Sequence, residues 1–133
     1  MDTSTYQLNL HIAWLGILLG FVSGSLIGLN FKFFKKDWQG GYAGLRRRMM
    51  RLGHIAFFGL AIVNMMFHFT TQSLNIVSQT WVVASWAFVV GAIAMPICCF
   101  TMAVYPRLKN LFYFPVISLI IGGLLTFWEV IKS

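Results

Sequence analysis

Four long apolar runs divide this chain, at residues 8–30, 49–69, 81–104 and 112–131. Each reaches the roughly 20 residues that a helix needs to cross the hydrocarbon core of a bilayer. The central turns of these runs contain no Asp, Glu, Lys or Arg, and Glu129 falls near the end of the fourth run. The pattern therefore predicts four transmembrane helices.

The polar segments between the runs are short, which limits how the helices can be connected. A basic loop follows the first run, residues 71–80 separate the second run from the third, and residues 105–110 lead into the fourth. Connections of this length leave no room for crossovers, so neighbouring helices should run antiparallel. We therefore expect an all-α integral membrane protein, a four-transmembrane-helix up-down antiparallel bundle that forms a single membrane domain over residues 1–133.

Composition supports this fold class. The chain is 59% hydrophobic and only 10% charged, with a mean hydropathy of +0.78, whereas soluble domains are about one quarter charged. The net charge of +7 could suggest a nucleic-acid partner. However, the basic residues are concentrated in loops at one end of the apolar runs, so anionic lipid headgroups are the expected partner and nucleic acid is not.

The positions of the basic residues predict the orientation of the helices. Seven of the ten lie between residues 31 and 51, and two more, Arg107 and Lys109, lie in the third loop. Lys and Arg in short loops stay on the cytoplasmic side. Both basic loops should therefore be cytoplasmic and both termini outside, with only Lys132 on the outer side. A bacterial inner (cytoplasmic) membrane is the expected location.

Aromatic side chains interleave with the cations of the first loop and suggest an ordered segment at the membrane surface. Rings anchor at headgroup depth while Lys and Arg meet lipid phosphates. The alternative is a docking surface for a cytoplasmic partner. The residues expected at the headgroups are Lys32, Lys35, Lys36, Trp38, Arg46, Arg47, Arg48 and Arg51.

A glycine stripe marks the first apolar run: Gly16, Gly20, Gly24 and Gly28 recur every four residues. Residues at this spacing share one face of a helix. Small residues let another helix approach closely, and in lipid such packing drives helix association. The stripe can pack inside the bundle, with a weaker row of small residues in the third run as its counterpart. Alternatively, it can form a docking groove for a partner subunit or for the flat face of a cofactor.

Three histidines, His11, His54 and His68, are candidate ligands because ionisable groups at membrane depth are costly and often functional. His54 and His68 are fourteen residues apart, so they point the same way about 21 Å apart along one helix. His11 should lie at about the depth of His68. The alternative for each is a hydrogen-bonded residue at a helix interface.

This spacing, together with the glycine stripe, resembles part of the cytochrome b pattern, in which two histidines fourteen apart on one helix each bind a haem. The resemblance implies a b-type haem held by His11 and His68, with His54 at a second site completed by Met95, Met102 or another chain. A second helix with two more histidines is missing from this sequence. His11 also falls on the face of its helix opposite the glycine stripe.

Two adjacent cysteines, Cys98 and Cys99, lie near Met95 and Met102 in the third run. Soft sulfur ligands suit Cu(I). Adjacent positions on a helix point in different directions, however, so we interpret both as small buried packing residues and expect no metal site.

Other function classes lack their usual residues. Transporters and proton pumps usually carry carboxylates within the membrane, and the sequence shows no nucleophile with a partner base and no phosphate-binding loop. We therefore expect no catalysis by this chain alone. The leading hypothesis is a small accessory or structural subunit of a larger inner-membrane assembly, such as a respiratory or electron-transfer complex. The alternative is a b-type haem electron carrier using His11 and His68.

Overall fold

The computed structural model describes residues 4–29, 41, 43–75 and 78–133, and within these ranges the chain is helical with no strand. Within the described ranges, four helices are long and apolar enough to cross a membrane, as expected of a membrane protein. They are α1 (Ser4–Leu29), α2 (Leu45–Leu74), α3 (Gln79–Val104) and α4 (Tyr113–Lys132), with a short 3-10 helix at Pro106–Phe112 before α4.

Helix α2 is longer than its apolar run at both ends. It begins at Leu45, so Arg46, Arg47 and Arg48 belong to the helix, because arginine is a good helix former whatever its polarity. It ends before Asn75, which adopts the left-handed conformation (φ 49°) that commonly terminates helices. Three residues later the Ser78 hydroxyl accepts a hydrogen bond from the Trp81 amide and caps α3.

Successive helices contact one another through opposite ends. Asn9 near the start of α1 bonds Asn64 in the last half of α2, whereas Ser23 near the end of α1 contacts His54 near the start of α2. A Cβ on Gly53 of α2 would meet the Phe100 ring near the end of α3. The start of α2 and the end of α3 therefore lie at one end of the molecule, which we call the basic end.

Helix α3 is the centre of the structure. It packs against α2 and α4 and, over a smaller area, against α1. In its most apolar stretch 39% of the residues are buried, compared with 11% in α1 and in α4. A core of Phe67, Trp81, Ala84 and Phe88 joins α2 to α3 away from the basic end, with Phe67 5.3 Å from the rings of both Trp81 and Phe88.

Helix α4 packs on α3 and has no comparable interface with α1 or α2 in the described part of the chain. The Ser118 hydroxyl donates to the Ala87 carbonyl at 2.7 Å. Close approach is possible because small residues face large ones, with Gly91 against Leu119 and Gly122 against Phe88. The four helices therefore do not surround a common axis: α1, α2 and α3 form one unit, and α4 lies on the outside of α3.

Candidate functional site

The glycine stripe of α1 lies mainly against α2. A Cβ on Gly16 would lie 3.1 Å from the Ala61 Cβ, and one on Gly20 would lie 2.7 Å from the Phe58 ring. A Cβ on Gly24 would lie 2.6 Å from the His54 ring, whereas one on Gly28 would meet nothing within 4 Å. The first three glycines thus form the surface on which side chains of α2 lie.

His54 is held in one orientation at this interface. Its Nδ1 lies 3.1 Å from the Ser23 hydroxyl, its ring covers Gly24, and the Phe58 ring meets it edge-on at 5.4 Å. The Ser23 hydroxyl also lies 3.1 Å from the Gly20 carbonyl. When that hydroxyl donates to the carbonyl, it accepts from Nδ1–H, and Nε2 then carries the lone pair that can bind a metal or a proton.

A second polar group, missed in the sequence, joins α1, α2 and α3. Asn9, Asn64 and Ser85 are fully buried. The Asn9 amide donates to Asn64 Oδ1 at 2.9 Å and to the Ser85 carbonyl at 3.4 Å, and it accepts from the Ser85 hydroxyl. The Asn64 amide donates to the Leu60 and Phe88 carbonyls at 2.9 and 3.5 Å. The sequence feature that could have revealed this cluster is the presence of three uncharged polar residues inside apolar runs.

The three histidines lie in different surroundings. His68 is only 3% exposed and lies one helical turn beyond Asn64 on the same face of α2. His54 is half-buried, whereas His11 is exposed on the side of α1 away from Asn9. Haem binding by His11 and His68 stays a prediction, with one of the two side chains inside the structure and the other on its surface.

No protein-family model, curated protein or solved structure matches this chain.

The predicted headgroup residues lie only partly within the described chain. Lys32, Lys35, Lys36 and Trp38 fall outside it. The arginines of the first two turns of α2 differ in exposure. Arg46 and Arg48 are exposed, Arg51 is half-buried and Arg47 is 7% exposed. Lys109 of the 3-10 helix and the start of α2 line one cavity, so both basic segments meet at the basic end.

The cysteines lie inside the structure as small packing groups. Cys98 and Cys99 are both buried thiols without a disulfide, and Cys98 Sγ lies 3.6 Å from the Leu111 carbonyl. No group of three or more potential metal ligands occurs among His, Cys, Asp and Glu side chains of the described ranges.

An open apolar face lies between α1 and α4. Ile93 and Ile97 of α3 are 51% and 56% exposed and line cavities on both sides of their helix. The cavity on the α1 side has a volume of about 330 Å³, and Gly16 and Ala61 contribute to its lining. The cavity on the α4 side, of about 350 Å³, includes Phe114 in its wall. We call this surface the α1–α3–α4 face.

Proposed function

We propose that this chain is a small accessory or structural subunit of a larger assembly in the bacterial inner membrane. The observation that supports the proposal is the α1–α3–α4 face. Because α4 packs on the outside of α3, α1 and α4 lie on either side of the Ile93–Ile97 ridge and leave an apolar groove on each side of it. A fourth helix closing the bundle against α1 would have covered this surface.

The face has the properties of a surface for another transmembrane helix. Ile93 and Ile97 are one helical turn apart and can insert as knobs between the side chains of a partner. Small residues beside the groove, such as Gly16 and Ala92, permit close approach, and close packing drives helix association in lipid. The two histidines fourteen residues apart on α2 make a respiratory or electron-transfer complex the assembly that we favour.

Orientation is part of the same proposal. We place the four helices alternately up and down across the membrane, with both termini outside and both basic loops in the cytoplasm. Support comes from Arg48 and Lys109, which come from different basic segments of the sequence but lie at the same basic end. Cations in short loops favour the cytoplasmic side of the inner membrane.

The test is to fill the groove and follow the assembly. Ile97→Trp places a large ring on the face, and Ile62→Trp is a matched control because Ile62 on α2 is also 56% exposed and does not line the groove. After extraction in mild detergent, the native chain and the Ile62→Trp variant should co-purify with the same stoichiometric membrane partners. The Ile97→Trp variant should lose them while retaining its helix content. Recovery of the native chain without a stoichiometric partner would refute the proposal.

A photo-crosslinking residue introduced into the chain in native membranes distinguishes a protein neighbour from a lipid neighbour. Placed at Ile93, it should form a discrete adduct with a second polypeptide, whereas at Ile62 it should react with lipid alone. Adducts with lipid alone at both positions would show that the α1–α3–α4 face is a lipid-facing surface.

The second candidate is a b-type haem electron carrier, favoured by the hydrogen bond between Ser23 and His54 Nδ1. Ligating histidines commonly have the second ring nitrogen held in this way. Binding of one haem by His11 and His68 would require one of them to change its surroundings, since His11 is exposed and His68 buried. The subunit role therefore has the better geometric support.

A reduced-minus-oxidised visible spectrum tests this candidate. Protein purified from haem-replete cells should show a sharp α band that disappears in His11→Ala or His68→Ala. A flat spectrum would eliminate the haem carrier, and a band that survives both substitutions would exclude these ligands.

A further inference from the structure

Charged and apolar side chains from the first three turns of α2 together line a cavity at the basic end. Arg48 and Arg51 lie three residues apart and therefore on one side of the helix. Together with Met49, Leu52 and Ile55 they line a cavity of about 260 Å³. Arg48 is the lining residue nearest the helix start, and the apolar Leu52 and Ile55 are the ones nearest its middle. The lining therefore becomes apolar along the helix, as a lipid molecule does from its headgroup to its acyl chains.

An exposed apolar strip continues from this cavity along α2. Ile55 is 59% exposed and Ile62 is 56% exposed, and a Cβ added to Gly59 between them would meet no atom within 4 Å. These positions follow Arg51 and Leu52 at intervals of three and four residues, which keeps them on one face. Gly59 therefore forms a shallow notch in an apolar strip that begins at two arginines.

We propose that this face of α2 binds one anionic phospholipid. Arg48 and Arg51 contact the phosphodiester, since guanidinium groups bind phosphate oxygens through charge-assisted hydrogen bonds. One acyl chain lies along Leu52, Ile55 and the Gly59 notch. The site is independent of the proposed subunit role and requires only that α2 crosses the bilayer.

Length and charge both fit this occupant. The eleven residues from Arg51 to Ile62 span about 16 Å, about half of the roughly 30 Å hydrocarbon core and so the depth that one acyl chain reaches. Among the described residues, Glu129 is the only acidic one, and it lies near the end of α4 that is far from the basic end. No described carboxylate therefore competes with a phosphate at the basic end.

Native mass spectrometry of the purified protein in detergent tests the site, with phosphatidylglycerol as the anionic probe and phosphatidylcholine as the zwitterionic one. We expect one phosphatidylglycerol to be retained at an activation energy that removes phosphatidylcholine. The Arg48→Gln/Arg51→Gln variant should weaken this retention on the order of tenfold or more. The control Arg107→Gln/Lys132→Gln removes the same charge from exposed positions outside α2 and should retain the lipid. Equal loss in both variants would refute a specific site.

A second test fills the Gly59 notch and leaves the charge of the protein unchanged. Gly59→Phe fills the strip, and Gly123→Phe is its control because Gly123 also has open space around it. The Gly59 variant alone should lose phosphatidylglycerol, with circular dichroism showing unchanged helix content in both. If Gly59→Phe has no effect and inorganic phosphate displaces the lipid, the arginines bind a free anion and the lipid proposal is wrong.

Discussion

Replacing Asn9 with Leu should destabilise the protein by about 2 kcal/mol. Asn9 donates two hydrogen bonds, to Asn64 Oδ1 and to the Ser85 carbonyl, and accepts one from the Ser85 hydroxyl. Interhelical hydrogen bonds within membranes contribute about 0.6 kcal/mol on average and at most about 1.7. Three average bonds therefore account for about 2 kcal/mol of the free energy of unfolding. Leu retains bulk at this fully buried position, so the loss reports mainly the hydrogen bonds.

A double-mutant cycle tests the cause of that loss. In Asn9→Leu, Asn64 Oδ1 loses the donor it has at 2.9 Å, and a buried acceptor without its partner is destabilising. Asn9→Leu/Asn64→Leu removes both groups, so its loss should fall short of the summed single losses by about 0.6–1.7 kcal/mol.

Equilibrium unfolding in mixed micelles, followed by far-ultraviolet circular dichroism, measures these differences. Asn110→Leu, at an exposed position of the 3-10 helix, should leave the free energy of unfolding within about 0.5 kcal/mol of the native value. Strict additivity of the Asn9 and Asn64 losses would contradict the direct bond between them. A fully stable Asn9→Leu variant would show that the polar group does not hold the helices together.

Two further predictions concern glycines at helix interfaces. Gly24→Ala places a methyl group against the His54 ring, where the ideal Cβ lies 2.6 Å from Cε1, and should destabilise by about 1–3 kcal/mol. The histidine resonances should shift in nuclear magnetic resonance spectra, whereas Gly28→Ala, in open space, should leave them unchanged. Gly91→Ala places its methyl group against Leu119 and should lower the thermal midpoint. In contrast, Gly123→Ala should keep or raise it, because Ala favours the helix by up to about 1 kcal/mol. A thermal midpoint unchanged by Gly91→Ala would mean that α4 shifts freely on α3.

The helices were predictable from sequence because apolar length is a local property, but their ends were less so. The apolar run at 81–104 differs by only two residues from α3 at Gln79–Val104. For α2, the apolar run marks the part of the helix suited to hydrocarbon, and the helix itself continues into Arg46–Arg48 at one end and to Leu74 at the other. A backbone can remain helical where its side chains become polar, so hydropathy alone starts such a helix too late and ends it too early.

Tertiary neighbours were harder to predict. Short loops imply that α4 lies beside α3 but do not determine whether it also touches α1, which depends on which faces pack. The glycine stripe indicated a close approach without identifying the ring of His54 as the group above Gly24. The cluster formed by Asn9, Asn64 and Ser85 was missed because these side chains neither ionise nor bind metals readily, although amides also need partners in an apolar surrounding.

The position of α4 on the outside of α3 has a consequence for how the chain is made. Synthesis proceeds from the N-terminus and domains assemble in that order. All three partners of the buried amide group, the last being Ser85, leave the ribosome before any residue of α4. The amides of α1 and α2 can therefore find their acceptors while the C-terminal helix is still being translated. The last helix can then pack on an assembled three-helix unit, through contacts that include the Ser118 hydrogen bond and the packing of Leu125 against the core.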